Sequence, residues 1–104
     1  MKNSFIPSFQ CESALEDMGS KLRIARLRRN ESVQIAAQRL GISRAKYQRL
    51  ENGDSNVSAG ALIEALILYG FESQVFALAD PDLDETGKRL EKQLLPKRGR
   101  THAK

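Results

Sequence analysis

A single glycine, Gly41, separates two short helical stretches, and this break constrains the chain more than any other feature. Before it, Val33, Ala36, Ala37 and Leu40 fall at i, i+3, i+4 and i+7, one face of a helix that starts after Ser32. After it, Ser43 is placed to cap a third helix from 44 to about 52, with Tyr47 and Leu50 turned inward. Glycine enters the left-handed conformation without a side-chain penalty, so the chain reverses there within a few residues. Ala37 is small enough for the third helix to cross close to the second, and Ile42, Tyr47 and Leu50 anchor it.

The flanking segments read as helices too. Ser13-Ala-Leu-Glu16 has the form of a capping box, and Leu15, Met18, Leu22 and Ala25 follow at helical steps. A first helix is therefore expected from about 14 to 29. Gly53 closes the third helix, residues 54–57 form a turn, and Ser58 caps a fourth helix from about 59 to 69, ended by Gly70. That helix is apolar on nearly every side, which predicts a central place or burial by another chain. A fifth helix over 73–79 offers Val75, Phe76 and Leu78 to the core. Residues 80–87 are acidic and turn-like, and 86–95 form a further helix with Leu90 and Leu94, stopped by Pro96. The basic tail 96–104 is expected to be disordered. Residues 4–9 are the one extended candidate. At 104 residues there is room for one domain: an arm over 1–12, the helical domain over 13–79, and an extension over 80–104.

Several classes of function are disfavoured. One cysteine (Cys11) and one histidine (His102) form neither a disulfide framework nor a zinc site. His102 sits in the tail, where it is not held as a general base, so no catalytic residue is assigned. Asp80, Asp82, Asp84 and Glu85 lack the glycine position of a calcium loop, since Gly87 is misplaced, and read as a solvated turn. Aromatic residues are 6% with no Trp, poor equipment for stacking on unpaired bases. No apolar run approaches a membrane span, and the N-terminus has no signal-peptide core. The expectation is a cytoplasmic protein that is not an enzyme and has no cofactor, no metal and no membrane partner.

Charge is unevenly placed. The net charge is +4, yet residues 18–60 alone carry nine basic and three acidic residues. A basic segment of this kind is the footprint of a nucleic-acid surface, although a solvated charged face gives the same pattern. The third helix turns Arg44, Ala45, Gln48 and Arg49 outward. A helix fits the major groove of DNA, and arginine grips O6 and N7 of guanine with two hydrogen bonds.

Residues 19–78 resemble the Cro/C1-type (Xre) helix-turn-helix domains. The matching pieces are Gly19-x-x-Leu22-x-x-x-Arg26, Ala37-x-x-Leu40-Gly41-Ile42-Ser43 and Leu50-Glu51-Asn52-Gly53. The resemblance implies an all-α, five-helix lambda-repressor-like DNA-binding bundle with a C-terminal extension. It also implies a homodimer on a near-palindromic double-stranded operator. It puts Arg44, Ala45 and Arg49 at base-reading positions. Ser32, Ser43, Lys46 and Asn52 fall at or near phosphate-contacting positions, with Gln48 in support and Asn56 a further candidate. The family often has Gln just after the second helix's cap. Here that residue is Val33, with Gln34 next, so either the clamp is weaker or Gln34 replaces it. Arg26 and Glu51 are expected to form an ion pair bracing the first helix to the third.

The fourth helix, the segment from Phe71 to Pro81 and the ending Leu95-Pro-Lys-Arg-Gly-Arg100 resemble HipB-type antitoxins. That likeness implies a HipA-like serine/threonine kinase toxin as partner and repression of the chain's own operon. The alternatives are a free-standing Xre-type regulator, and an interaction module that neutralises a partner with little DNA binding.

Overall fold

In the computed structural model, which describes residues 5–98, the elements are α1 (Phe9–Arg28), α2 (Val33–Leu40), α3 (Arg44–Asn52), α4 (Ala59–Leu68), α5 (Glu72–Ala77), a 3₁₀ turn at Pro81–Leu83 and α6 (Glu85–Arg98). No strand occurs among the described residues, so the expected all-α class holds. Each of α1 to α4 opens on a serine whose Oγ accepts the amide N–H three residues on. The pairs are Ser8 with Cys11, Ser32 with Ile35, Ser43 with Lys46 and Ser58 with Ala61, all at 3.0–3.1 Å. Each cap satisfies a donor that the helix itself leaves open and contributes about 1 kcal/mol.

The core is small and tight. Leu22 and Tyr47 are fully buried, packed with Ala25, Ala36, Ala37, Leu50, Ala65 and Tyr69. Half of these are alanine, so the helix axes approach closely. The closest approach is between α1 and the end of α3. A Cβ on Gly19 would fall 2.6 Å from the carbonyl oxygen of Leu50 and closer still to that of Glu51. One on Gly53, whose φ is +76°, would fall 2.7 Å from the backbone of Glu16. The two helices therefore meet backbone to backbone.

Across the same contact lies the pair Arg26–Glu51. Arg26 Nε donates to Glu51 Oε2 at 2.7 Å, and Nη2 donates to Oε1 at 3.0 Å. Both side chains are 8% exposed. The hydrogen bond to Glu51 raises the Arg26 pKa further above its ordinary value. Arg26 Nη1 donates to the Glu31 carbonyl at 2.8 Å, in the turn between α1 and α2. The Glu31 carboxylate in turn pairs with Arg39 and accepts from the Tyr69 hydroxyl at 3.3 Å. Arg29 closes the network by donating to the carbonyls of Ala25 and Tyr69, with its guanidinium over the Tyr69 ring. The Tyr47 hydroxyl is buried beside this network without a hydrogen bond, and burial pushes its ionisation far above the usual range.

Several boundaries differ from expectation. α1 starts at Phe9, not near 14, because Ser8 caps it and Glu12 sits favourably in its first turn. Once an earlier cap nucleates the helix, each added residue gains a bond, and Ser13 becomes an interior position. Residues 9–12 of the expected arm thus belong to α1, and residues 5–8 are neither helix nor strand. α4 is not central: Ala65 is its one buried residue, while Ile63 and Ile67 face outward. In α5, Val75 is half-buried, but Phe76 and Leu78 are 84% and 68% exposed. The helix is too short to turn three apolar residues inward, and Phe71 before it takes the core place. α6 continues through Pro96 to Arg98. A proline forfeits one hydrogen bond to the preceding turn but leaves the residues after it free to stay helical. Residues 97 and 98 of the expected tail are therefore helical, and the rest of it, His102 included, lies outside the described residues.

Three stability predictions follow from the α1–α3 contact. Glu51→Ala strands the Arg26 charge in the interior and costs about 3–5 kcal/mol in urea or thermal unfolding; an unchanged midpoint would remove the brace from the account. Replacing both partners with apolar residues should cost less than Glu51→Ala alone. Gly19→Ala gains about 1 kcal/mol of helix propensity, yet the new methyl meets carbonyl oxygens, so the same unfolding assay should show a net loss of about 1–3 kcal/mol.

Candidate nucleic-acid interface

The interface is built from α2, its turn and α3. Gly41 adopts φ +71°, and its N–H returns to the carbonyls of Ala37 and Gln38. Ile42 N–H donates to the Ala37 carbonyl at 3.1 Å, so the carbonyls of Ala37 and Gln38 are satisfied in the turn. Ser43 then starts α3 at once. The rotation of α3 about its axis is set by Tyr47 and Leu50, which are buried in the core. At ~100° per residue, Arg44, Ala45, Gln48, Arg49 and Asn52 span an arc of about 140° on the side away from those anchors. All five are exposed.

The base-reading candidates differ in their surroundings. Arg44, in the first turn of α3, has no ion-pair partner among the described residues. Ala45 presents a methyl group, which fits an apolar contact such as a thymine methyl. Arg49 lies 3.9 Å, Nε to Oδ2, from Asp54, with its side chain 59% exposed.

The supporting candidates lie around this face. Ser32 and Ser43 are exposed caps whose Oγ atoms accept from the backbone. Each hydroxyl still has a proton to donate, so capping and phosphate binding are compatible. Lys46 is half-buried and has no ion-pair partner among the described residues. Val33 packs against the core, while Gln34 is exposed and makes no bond to Arg44. Asn56 is exposed, but its backbone N–H is already donated to Asp54 Oδ1 at 2.8 Å, which leaves its side chain to reach outward. Arg26 and Glu51 lie beneath the interface in the buried pair and do not reach its surface.

Asp54 is the residue of this region that the sequence reading passed over. Its place beside Arg49 depends on how the chain folds back after Gly53, which the pattern of residues does not give. Its own N–H donates to the Arg49 carbonyl at 3.0 Å. The acidic residues after α5 serve as turn caps: Asp80 accepts from the Asp82 N–H and Asp84 from the Gly87 N–H. No group of three or more metal-ligating side chains occurs among the described residues, nor any helix long and apolar enough to cross a membrane.

Comparison with known proteins gives one match. A family profile described as a helix-turn-helix domain covers residues 17–78, more than half of the chain. No curated protein and no solved structure matches it.

Proposed function

The chain belongs to the helix-turn-helix domain family, and from that premise we propose that it is a sequence-specific DNA-binding transcriptional repressor. The observation that carries this reading is the outward face of α3. Arg44 and Arg49 flank Ala45 and Gln48 there, held in orientation by Tyr47 and Leu50 on the opposite side. The two arginines read guanine in the major groove, and Ala45 adds an apolar contact. Ser32, Gln34, Ser43, Lys46, Asn52 and Asn56 position the helix on the phosphates, which fixes register without reading sequence. The protein acts in the cytoplasm as a homodimer. Its two recognition helices stand about one DNA turn apart, ~34 Å, on a near-palindromic operator.

A finer reading makes it the antitoxin of a HipA-like kinase toxin. It rests on the likeness of the C-terminal segment to HipB-type antitoxins. It is supported by apolar side chains on α4 and α5 that are exposed among the described residues: Ile63 and Ile67 in part and Phe76 almost fully. A repressor that neutralises a toxin needs a protein-binding surface apart from its DNA-reading helix. Co-purification from native cells at high salt with nuclease separates the two readings. A kinase in fixed stoichiometry is expected for the antitoxin, and recovery of this chain alone overturns it in favour of a free-standing regulator.

The DNA reading is tested by in vitro selection of a duplex, followed by titration with the wild type and the double variant Arg44→Ala, Arg49→Ala. Each lost bidentate contact costs about 1–3 kcal/mol, so affinity for the selected duplex should fall by at least about tenfold. The melting temperature should not change, because both side chains are exposed. Wild-type affinity should fall steeply as salt rises, since phosphate contacts release counterions. Equal binding by the double variant, or an affinity independent of salt, would contradict the reading.

A further inference from the structure

We propose that Asp54 is a positioning residue that orients the Arg49 guanidinium for end-on recognition of one guanine. The inference rests on the reading of Arg49 as a base contact.

Asp54 is held at the end of α3 by its own backbone and side chain. Its N–H donates to the Arg49 carbonyl at 3.0 Å, and its Oδ1 accepts the Asn56 N–H at 2.8 Å. These two bonds fix the carboxylate, so the remaining oxygen, Oδ2, faces Arg49 Nε at 3.9 Å. The aspartate is the less exposed partner, at 31% against 59% for the arginine. An acid on the Nε edge occupies one side of the guanidinium fork. The approach is by charge and uses no hydrogen bond of the guanidinium, so the two Nη groups keep their donors for O6 and N7 of guanine.

The carboxylate also acts on the competing ligand. A guanidinium on a long side chain can satisfy itself on a phosphate instead of a base. A fixed negative charge beside Arg49 repels phosphate from that side and supplies the counter-charge that a phosphate would otherwise provide. Phosphate contact carries no sequence information, so steering Arg49 off it favours readout. Arg44 gives an internal contrast, since it has no acid beside it among the described residues. Selectivity at the base read by Arg49 should therefore depend on Asp54, and selectivity at the base read by Arg44 should not.

The test uses the full chain as wild type, Asp54→Asn, Arg49→Ala, Arg44→Ala and the double Asp54→Asn, Arg49→Ala. Asparagine keeps the acceptor for the Asn56 N–H and removes the charge, so melting temperatures should agree within error. Duplexes are selected with the wild type. The single-alanine variants then assign which operator position each arginine reads. Affinities are measured for all four bases at both positions. Asp54→Asn is expected to lower guanine discrimination at the Arg49 position by about two- to fivefold, the range an exposed ion pair supports. Discrimination at the Arg44 position should stay unchanged, and the effect should vanish in the Arg49→Ala background. Unchanged discrimination, an equal loss at both positions, or an effect that persists without Arg49 would overturn the positioning role while leaving the DNA reading standing. If the wild type selects no sequence, or Arg49→Ala alters no base preference, the reading beneath it falls and the inference with it.

Discussion

The buried pair Arg26–Glu51 is the constraint on which the rest of the structure depends. Two charges taken out of water are tolerated only with close geometry and full hydrogen bonding. Both conditions hold here, with two parallel bonds to the carboxylate and a third from Arg26 to the Glu31 carbonyl. The pair ties the end of α3 to the last turn of α1, and nearer the middle of α1 Gly19 and Gly53 allow the two backbones to touch. Through Glu31 the same arginine reaches the α1–α2 turn, Arg39 and Tyr69, so four helices are tied to one guanidinium. An apolar pair could stabilise the contact as well. It would not fix direction in the same way, because a bidentate pair accepts only a narrow range of helix orientations.

From that brace the binding face follows. α3 is only nine residues long, too short to hold its shape in isolation. It is held at its start by Ser43, at its end by Gly53 and Glu51, and along its length by Tyr47 and Leu50. A helix clamped at these points has little freedom to rotate, and the opposite arc is left to solvent. The sequence fills this arc with Arg44, Ala45, Gln48, Arg49 and Asn52. Tyr47 and Leu22 are the largest fully buried side chains, so Tyr47 fills much of the space between α3 and the rest of the core.

Local signals were legible in proportion to how little they depended on neighbours. Ser32, Gly41, Ser43, Gly53 and Ser58 mark helix ends by chemistry that acts within three residues, and the structure has α2, α3 and α4 at those limits. The start of α1 was less legible, because Ser13-Ala-Leu-Glu16 has the form of a capping box while Ser8, five residues earlier, makes the cap. The sequence also could not show which apolar residues turn inward on a short helix. Phe76 and Leu78 look like core in composition, yet Phe71 reaches the core first. Pro96 reads as a stop, but α6 runs two residues past it. In the interface, the outward face of α3 followed from its period and its two anchors. Asp54 did not, because its place beside Arg49 depends on how the chain folds back after Gly53.

The most direct test of the central claim is an NMR titration of the isotope-labelled chain with its selected duplex, following backbone amides and the arginine Nε–H signals together. The largest shifts should fall on Ser32–Gln34 and on Ser43–Arg49, with new protected signals for Arg44 and Arg49. The Arg26 signal should already be protected in the free protein and stay nearly unmoved. Shifts centred on α4 and α5, with α3 unperturbed, would contradict the account and move the DNA-binding surface away from the braced helix.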